Sequence, residues 1–557
     1  MKFAAGVLGT YIALTILYCN LGYLDHINLR VSGIDGVYYY MYLPSVLLDG
    51  DIDFSNEVSY YFGEKQVEKD RTKTGMVGNH WPIGPAIFWA PFFLLAHFIT
   101  SIGNSIGSSL PANGYSGLYT TFVYLANSLY GVSGFFFIYY SLKRFFAFRD
   151  ILLACLVILL CSPLTYYLWS FSTMSHTISF FAVSMFIFAF LRYGIGLRLA
   201  ICSGLMFLVR WQDILFILPL IIYVVHDFYQ RRKKNGFLYT KWLAHHLGFV
   251  IVFFITVSPQ LFVWKIIYGQ WIMPASTSQK IDVLNLHTIK VLFGSETGFF
   301  AWHPILILGV IGLPILFKKR RMWGIYCSLA ILIQVLFVAS IQKSAGWAFG
   351  NRFLIGTLPF LTFGLAALFE RIKNYRLLRS MAIVSVIFFC YWNQVFVFQY
   401  QKGLIPHSGP LTREQFIDDK FRIKRVYDSE KLFNRGVKLL EKKQPCRSLE
   451  EAIKADAIVP RREKVLLLKA VGSLLCKNYQ QSQMAFQQLI DIKTSESLYK
   501  LGLAYSYFAE GKINHTKSLL EVMDDSETQW IRKLIDNKVK SIDPNFLKRI
   551  FRKLTHF

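Results

Sequence analysis

Residues 81–101 read WPIGPAIFWAPFFLLAHFITS, and whether this stretch crosses a membrane decides the topology of everything after it. It is apolar and long enough to span a hydrocarbon core of ~30 Å. If it crossed, the uncharged segment 102–117 would be cytoplasmic and every later basic loop would face outward. Those loops carry Lys143/Arg144/Arg149, Arg192/Arg198, Arg231/Arg232/Lys233/Lys234, Lys318/Lys319/Arg320/Arg321 and Arg371/Lys373/Arg376/Arg379. Short loops rich in Lys and Arg stay in the cytoplasm. The charge pattern therefore makes 81–101 a helix lying in, or dipping into, the outer interface, and Pro82, Pro85 and Pro91 suit a broken surface helix.

Working outward, apolar runs at 3–24, 118–142, 151–170, 177–191, 197–209, 213–226, 243–264, 302–317, 322–340, 353–369 and 380–400 give about eleven spans. All five basic clusters then share the side of the N-terminus. With 54% hydrophobic residues and a mean hydropathy of +0.38, the chain is too apolar for a soluble protein of 557 residues. Expected is an all-α polytopic membrane protein with its basic loops in the cytoplasm. The formal charge of +26 is explained by the cytoplasmic loops and does not call for nucleic acid. Six of the eight cysteines (19, 155, 161, 202, 327, 390) lie in apolar runs without CxxC or His partners, so neither a disulfide framework nor a metal site is expected.

The first loop, 25–117, is then extracytoplasmic and unusually polar. Asp35, Asp49, Asp51, Asp53 and Glu57 cluster there beside Tyr38, Tyr39, Tyr40 and Tyr42, rings that suit sugar stacking or the headgroup layer. The short runs 197–209 and 213–226 flank Arg210-Trp211-Gln212-Asp213 at the outer face and leave room for a cavity there. Two more outer loops hold Lys280, Glu296, His303, Lys343, Trp347 and Arg352. After residue 400 the pattern turns amphipathic over 411–443, 448–491, 495–523 and 526–556, a separate helical domain placed outside by the odd span count. Within it, Ala470/Tyr479/Ser482/Phe486/Leu489 align with Ala504/Ile513/Thr516/Leu520/Met523 at an offset of 34 residues, the tetratricopeptide period. A plain helical bundle fits equally.

Ile34-Asp35-Gly36-Val37-Tyr38-Tyr39, Leu48-Asp49-Gly50-Asp51-Ile52-Asp53 and Asn79-His80-Trp81-Pro82-Ile83-Gly84-Pro85 resemble the first-loop strings of C-type (GT-C) membrane glycosyltransferases. Within that superfamily they are most similar to bacterial relatives of protein O-mannosyltransferases and of lipid A aminoarabinose transferases. The resemblance covers about 1–400 and includes 298–304 and 346–352. It implies transfer of a sugar from a polyprenyl-phosphate donor to an extracytoplasmic lipid-linked or envelope glycan. Asp35 takes the place of the family's catalytic carboxylate. Gly36 stands where the family often has a second acid, and His80-Trp81 where it has a Lys before the prolines.

The chemistry agrees with that expectation. Phosphate leaves without a strong general acid, so the protein must supply a base for the acceptor hydroxyl, with inversion at the anomeric carbon. Asp35 is the chosen base; its other reading is a helix N-cap in the Gly-Ile-Asp-Gly turn. Arg352, then Lys343 and His80, are expected to hold the donor phosphate. Arg210, Glu296, His303 and Trp347 form a second tier. Asp49 and Asp51 resemble a DxD metal motif but read more simply as a turn, so no cofactor is expected and a divalent metal is the alternative. The aromatic rings Trp81, Trp89, Trp302 and Trp347 are read as an interfacial belt. The C-terminal domain is expected to dock an acceptor or protein partner. The rival classes are a transporter or flippase and a non-catalytic envelope-assembly scaffold.

Overall fold

The computed structural model describes residues 31, 33–171, 173–233, 238–272, 281–341, 348–493 and 496–521, most of 544–556, and a few positions elsewhere. The expected first span 3–24, and with it the span count, lies outside these residues except at isolated positions. So do Lys280, Lys343 and Trp347. The chain divides into a unit of residues 1–401 with 407–410 and a unit of 402–406 with 411–557.

The first unit is all-α among its described residues. Its main helices are α1 (Gly33–Pro44), α2 (Gly84–Ser105), α3 (Gly117–Leu142), α4 (Phe148–Cys161), α5 (Ser175–Tyr193), α6 (Leu197–Val209), α7 (Leu220–Arg232), α8 (Tyr239–Tyr268), α9 (Ile307–Lys319), α10 (Arg321–Ser340), α11 (Leu358–Ile372) and α12 (Arg376–Gln401). Eight helical segments among the described residues are long and apolar enough to cross a membrane. They include Trp211–Arg232 and Arg352–Ile372, where a 3₁₀ turn leads into α7 and α11.

Two expected spans are broken, and one keeps the short length expected of it. The run 197–209 is a helix of 13 residues. The run 302–317 opens with a 3₁₀ turn, Pro304–Leu306, before α9. The run 151–170 breaks at Ser162-Pro163, because proline has no N–H to continue the ladder. The carbonyls freed there cannot stay unpaired inside a bilayer. Asn393 of α12 donates to the Leu160 and Ser162 carbonyls at 2.8 and 3.1 Å, and Gln394 to Leu160 at 2.9 Å.

The segment read as a broken surface helix is instead continuous. Pro85 sits in the first turn of α2, where its missing N–H costs nothing, and Pro91 is absorbed inside. α2 runs antiparallel to α3. His97 meets Tyr119 at 2.7 Å, Trp89 donates to Asn127, and Phe88 and Phe92 pack on Tyr130. These partners run from Tyr119, near the start of α3, only as far as Tyr130 at its middle. At that basic end Arg144 bonds the Leu191 carbonyl, and Lys319 bonds Glu370 and the Phe145 carbonyl. The basic loops thus gather at one end of the unit, and α2 packs away from it. Closest approach occurs where α9 crosses α11: a Cβ on Gly312 would stand 1.8 Å from the Gly364 carbonyl oxygen, so only glycine fits. Trp89 and Trp302 are buried in this packing and do not join an interfacial belt.

The second unit holds α13 (Ile423–Glu441), α14 (Pro445–Ile458), α15 (Glu463–Leu475), α16 (Tyr479–Ile492), α17 (Ser497–Glu510), α18 (Ile513–Glu521) and α19 (Pro544–His556). The expected pattern at 448–491 resolves into three of these. Pro445, Tyr479 and Ile513 begin the second helices of three successive pairs at intervals of 34 residues. The Ser482 hydroxyl donates to the Ala470 carbonyl at 2.9 Å, and Thr516 repeats the bond to Ala504 at 3.4 Å. In the first pair Gly436 packs against the Ser448 backbone at the same register. Sequence revealed two units because glycine there hid the third. The amphipathic α19 closes the stack with Phe546, Ile550 and Leu554. Against expectation, Cys446 and Cys476 form a disulfide, joining the start of α14 to the end of α15 with Cα atoms 5.4 Å apart. The sequence separation of 30 disguised a pair that helix packing makes adjacent.

Candidate active site

α1 begins at Gly33, whose backbone is left-handed, with Asp35 in its first turn, where a carboxylate faces the helix's positive end. Gly36 follows because the turn rests on residue 173. A Cβ there would lie 2.9 Å from the Thr173 hydroxyl and 3.0 Å from its carbonyl oxygen. A second acidic residue has no room. Tyr39, Tyr40 and Tyr42 are buried behind it, and Tyr38 stacks on Trp81 at 4.1 Å with the planes 7° apart. Trp81 in turn carries the His80 ring at 3.6 Å. Asn79 locks this loop by donating to the Tyr38 carbonyl at 2.8 Å and accepting from Trp81 N–H at 3.1 Å.

A cavity of about 540 Å³ opens beside this layer, lined by Asp35, His80, Arg210, Arg352 and apolar residues including Leu215, Phe337 and Phe353. It forms where the short α6 ends: Arg210 turns extended, and the chain re-enters as the 3₁₀ turn Trp211–Ile217. Asp35 and Arg352 make an ion pair, Nη1 to Oδ2 at 3.1 Å, each side chain partly exposed. Arg352 keeps a buried Nε with no hydrogen-bond partner. Arg210 donates to Ser175 at 3.1 Å and Gln212 at 3.0 Å and lies 2.8 Å from His176 Nδ1. Gln212 donates to the Phe353 carbonyl at 2.6 Å. The two guanidiniums each stand 5.5 Å from the Phe353 ring, so two cations share one partly apolar pocket. Ser175 continues the network by donating to Tyr39 at 3.1 Å. Below it Asp213, fully buried, accepts from Ser179 at 2.6 Å. Burial lowers the affinity of His80 for a second proton, with Asp35 and Asp70 pulling the other way. It therefore serves better as a neutral hydrogen-bonding ring than as a cation.

Four of the residues singled out from sequence thus meet in one place: Asp35, His80, Arg210 and Arg352. Among the described residues, Asp49, Asp51, Glu296 and His303 do not line this cavity. Asp49 accepts from Asn56 at 2.8 Å, and Asp51 accepts from Ser45 and from the Asp53 N–H at 3.2 Å. Asp53 accepts from the Val77 N–H at 3.0 Å, so this stretch is used as a turn. Glu296 pairs with Lys290 at 3.6 Å and accepts from Gly409 N–H at 3.1 Å. His303 is buried beside Phe349. Sequence reasoning named Gln212 without giving it a role, and missed His176 and Phe353. A lone His in an apolar run reads as core, and only the Ser-His pair at a helix start hinted otherwise.

Glu57 is a separate feature of the loop. It is fully buried, accepts from the Tyr115 hydroxyl at 3.4 Å, and has a second oxygen without a partner. Burial pushes its carboxyl up to about 8, and Asp49 and Asp51 add to the rise. The folded chain holds this proton through a range where the unfolded chain, titrating near 4.5, has released it. The stability contributed is complete below the unfolded value and is lost as pH rises through about 8. Melting in detergent at about pH 5 and about pH 9 checks this. The wild type should melt lower at the higher pH, and Glu57→Gln should remove most of that difference.

No family model and no curated protein matches the chain. Among solved structures it is similar to the crystal structure of ArnT from Cupriavidus metallidurans in the apo state, at 12% sequence identity and a TM-score of 0.42, over 86% of this chain and 78% of that one.

Proposed function

We propose that the chain is a GT-C-type membrane glycosyltransferase that moves a sugar from a polyprenyl-phosphate donor to an extracytoplasmic lipid-linked or envelope glycan. One observation carries this reading: a carboxylate and two guanidiniums, from three distant parts of the sequence, converge on one cavity with apolar walls. A lipid phosphate fits the two cations, and its polyprenyl chain the apolar wall. The donor phosphate takes Arg352 and Arg210 as charge-assisted partners, which strengthen as the anomeric C–O bond breaks and negative charge collects on the leaving phosphate. Binding of the phosphate competes with Asp35 for Arg352. The carboxylate so released accepts the proton of the incoming hydroxyl, in a single displacement that inverts the anomeric centre. Tyr39 and His176 hold the cluster in place, and the Trp81–Tyr38 stack is a surface for a sugar ring.

Cells lacking the protein should accumulate the unused polyprenyl-phosphate sugar, read by mass spectrometry of the lipid extract. An unchanged lipid and glycan profile on deletion and on overexpression overturns the reading.

The basic end of the unit is assigned to the cytoplasm and the cavity to the opposite face, from the distribution of Lys and Arg. α12 starts at the basic end and finishes at Gln401, beside Ser170. The C-terminal unit is therefore assigned to the extracytoplasmic side, which the Cys446–Cys476 disulfide also favours, since such bonds persist in oxidising compartments. Its three helix pairs suit the docking of an acceptor or protein partner. A periplasm-active reporter should give full signal when fused after Gln401 and background signal after Lys234. The reverse pattern inverts the whole assignment.

A further inference from the structure

A second and larger cavity, of about 1010 Å³, lies at the opposite ends of the same helices. His176 opens α5 at the candidate active site, and Phe190–Tyr193 close it at this cavity, on the order of 20–25 Å away at helical rise. The two spaces therefore cannot share a ligand headgroup. The floor is apolar, from Phe190, Leu191, Ile195 and Tyr223, and the rim carries Arg231, Lys241, His245 and His246. Two further cations stand at the edge, Arg198 at 4.3 Å and Arg192 at 5.8 Å from the ring of Tyr193, which lines the cavity. The single acidic group in the lining is already engaged. Asp227 accepts from Arg231 Nε at 2.7 Å and from the Trp242 indole at 3.1 Å. His245 lies 2.6 Å from the Ile195 carbonyl, and His246 packs on Trp242 with ring centres 4.2 Å apart. The rim thus carries net positive charge, with Arg231, His245 and His246 fixed by these contacts.

We propose that this cavity binds the phosphate headgroup of an anionic phospholipid. Charge complementarity selects an anion, and the surroundings select a lipid over a soluble phosphate. The helices that form the walls turn bare apolar faces outward, with Ile221 60% and Val225 47% exposed on α7 and Leu247 54% and Ile251 51% on α8. Acyl chains of a lipid whose headgroup sits in the rim would cover those faces. Basic pockets between spans at the cytoplasmic surface are suited to such headgroups, each nearby Lys or Arg contributing about fivefold in affinity. The proposal is independent of the glycosyl-transfer reading, because it uses neither the other cavity nor any of its residues.

The test is native mass spectrometry of the full-length protein in detergent, titrated with phosphatidylglycerol and separately with phosphatidylethanolamine. The wild type is expected to retain phosphatidylglycerol at least tenfold more tightly. Arg231→Gln combined with Lys241→Gln should lower that affinity roughly 25-fold and leave phosphatidylethanolamine binding unchanged. Since Arg231 also braces Asp227, Lys241→Glu serves as the second variant. Its side chain is exposed, and it should cost at least fivefold while the melting temperature stays within error. Equal retention of the two lipids, or unchanged affinity in both variants, overturns the proposal. So does displacement of the lipid by millimolar inorganic phosphate, which would make this a site for soluble anions.

Discussion

Asp35→Asn should lower turnover by on the order of 10²–10⁴-fold while changing donor affinity little. The substitution keeps the size of the side chain and its place in the first turn of α1, and removes the capacity to take a proton. An N-cap would behave otherwise, since Asn caps as well as Asp and activity would persist. The pairing with Arg352 adds a consequence that the sequence did not suggest. With the neutral amide, Arg352 loses its resident counter-charge, so donor affinity should hold steady or rise slightly. The check is donor binding and single-turnover transfer measured on the same preparation. Should Asp35→Asn stay active while Asp49→Asn or Asp51→Asn abolishes transfer along with chelation, the base assignment is wrong. The acidic turn would then be a metal site.

Arg352→Ala carries the second large effect. A charge-assisted hydrogen bond is worth about 1.5–3 kcal/mol, so donor affinity should fall roughly 10- to 100-fold. Turnover should fall further, because the interaction grows as charge moves onto the phosphate. Asp35 is then left without its partner, and part of the loss could arise from a disturbed loop. The double variant Asp35→Asn/Arg352→Ala separates the two causes. If the residues act through one another, its defect is well short of the product of the single defects. Strict multiplicativity would mean that the 3.1 Å ion pair has no functional weight. Arg352→Lys should recover part of the binding, since charge returns without the planar fork that Arg presents to phosphate.

How much of this was legible in the chain depends on the range over which each signal acts. Helices are local: apolar runs of span length, Pro85 at a helix start and amphipathic patterns after residue 401 announce themselves within a few turns. Charge asymmetry is equally local, and the five basic clusters already implied that one end of the bundle differs from the other. The polar first loop pointed at Asp35, and the 34-residue offset pointed at paired helices. These readings need only neighbours in sequence.

The tertiary structure alone decided what those elements meet. Nothing along the chain says that Arg352 reaches Asp35, or that Arg210 turns inward to His176 when a snorkelling Arg would turn outward. Asp49, Asp51 and Glu296 had the same chemical credentials as Asp35, yet their hydrogen bonds face elsewhere. Gly36 looked like a departure from a motif until Thr173 stood against it. Cys446 found Cys476 only after two helices had packed side by side. The physical reason is the same in each case. Secondary structure follows from interactions over a few residues, whereas a site is a set of long-range contacts selected by packing, and packing depends on every helix at once.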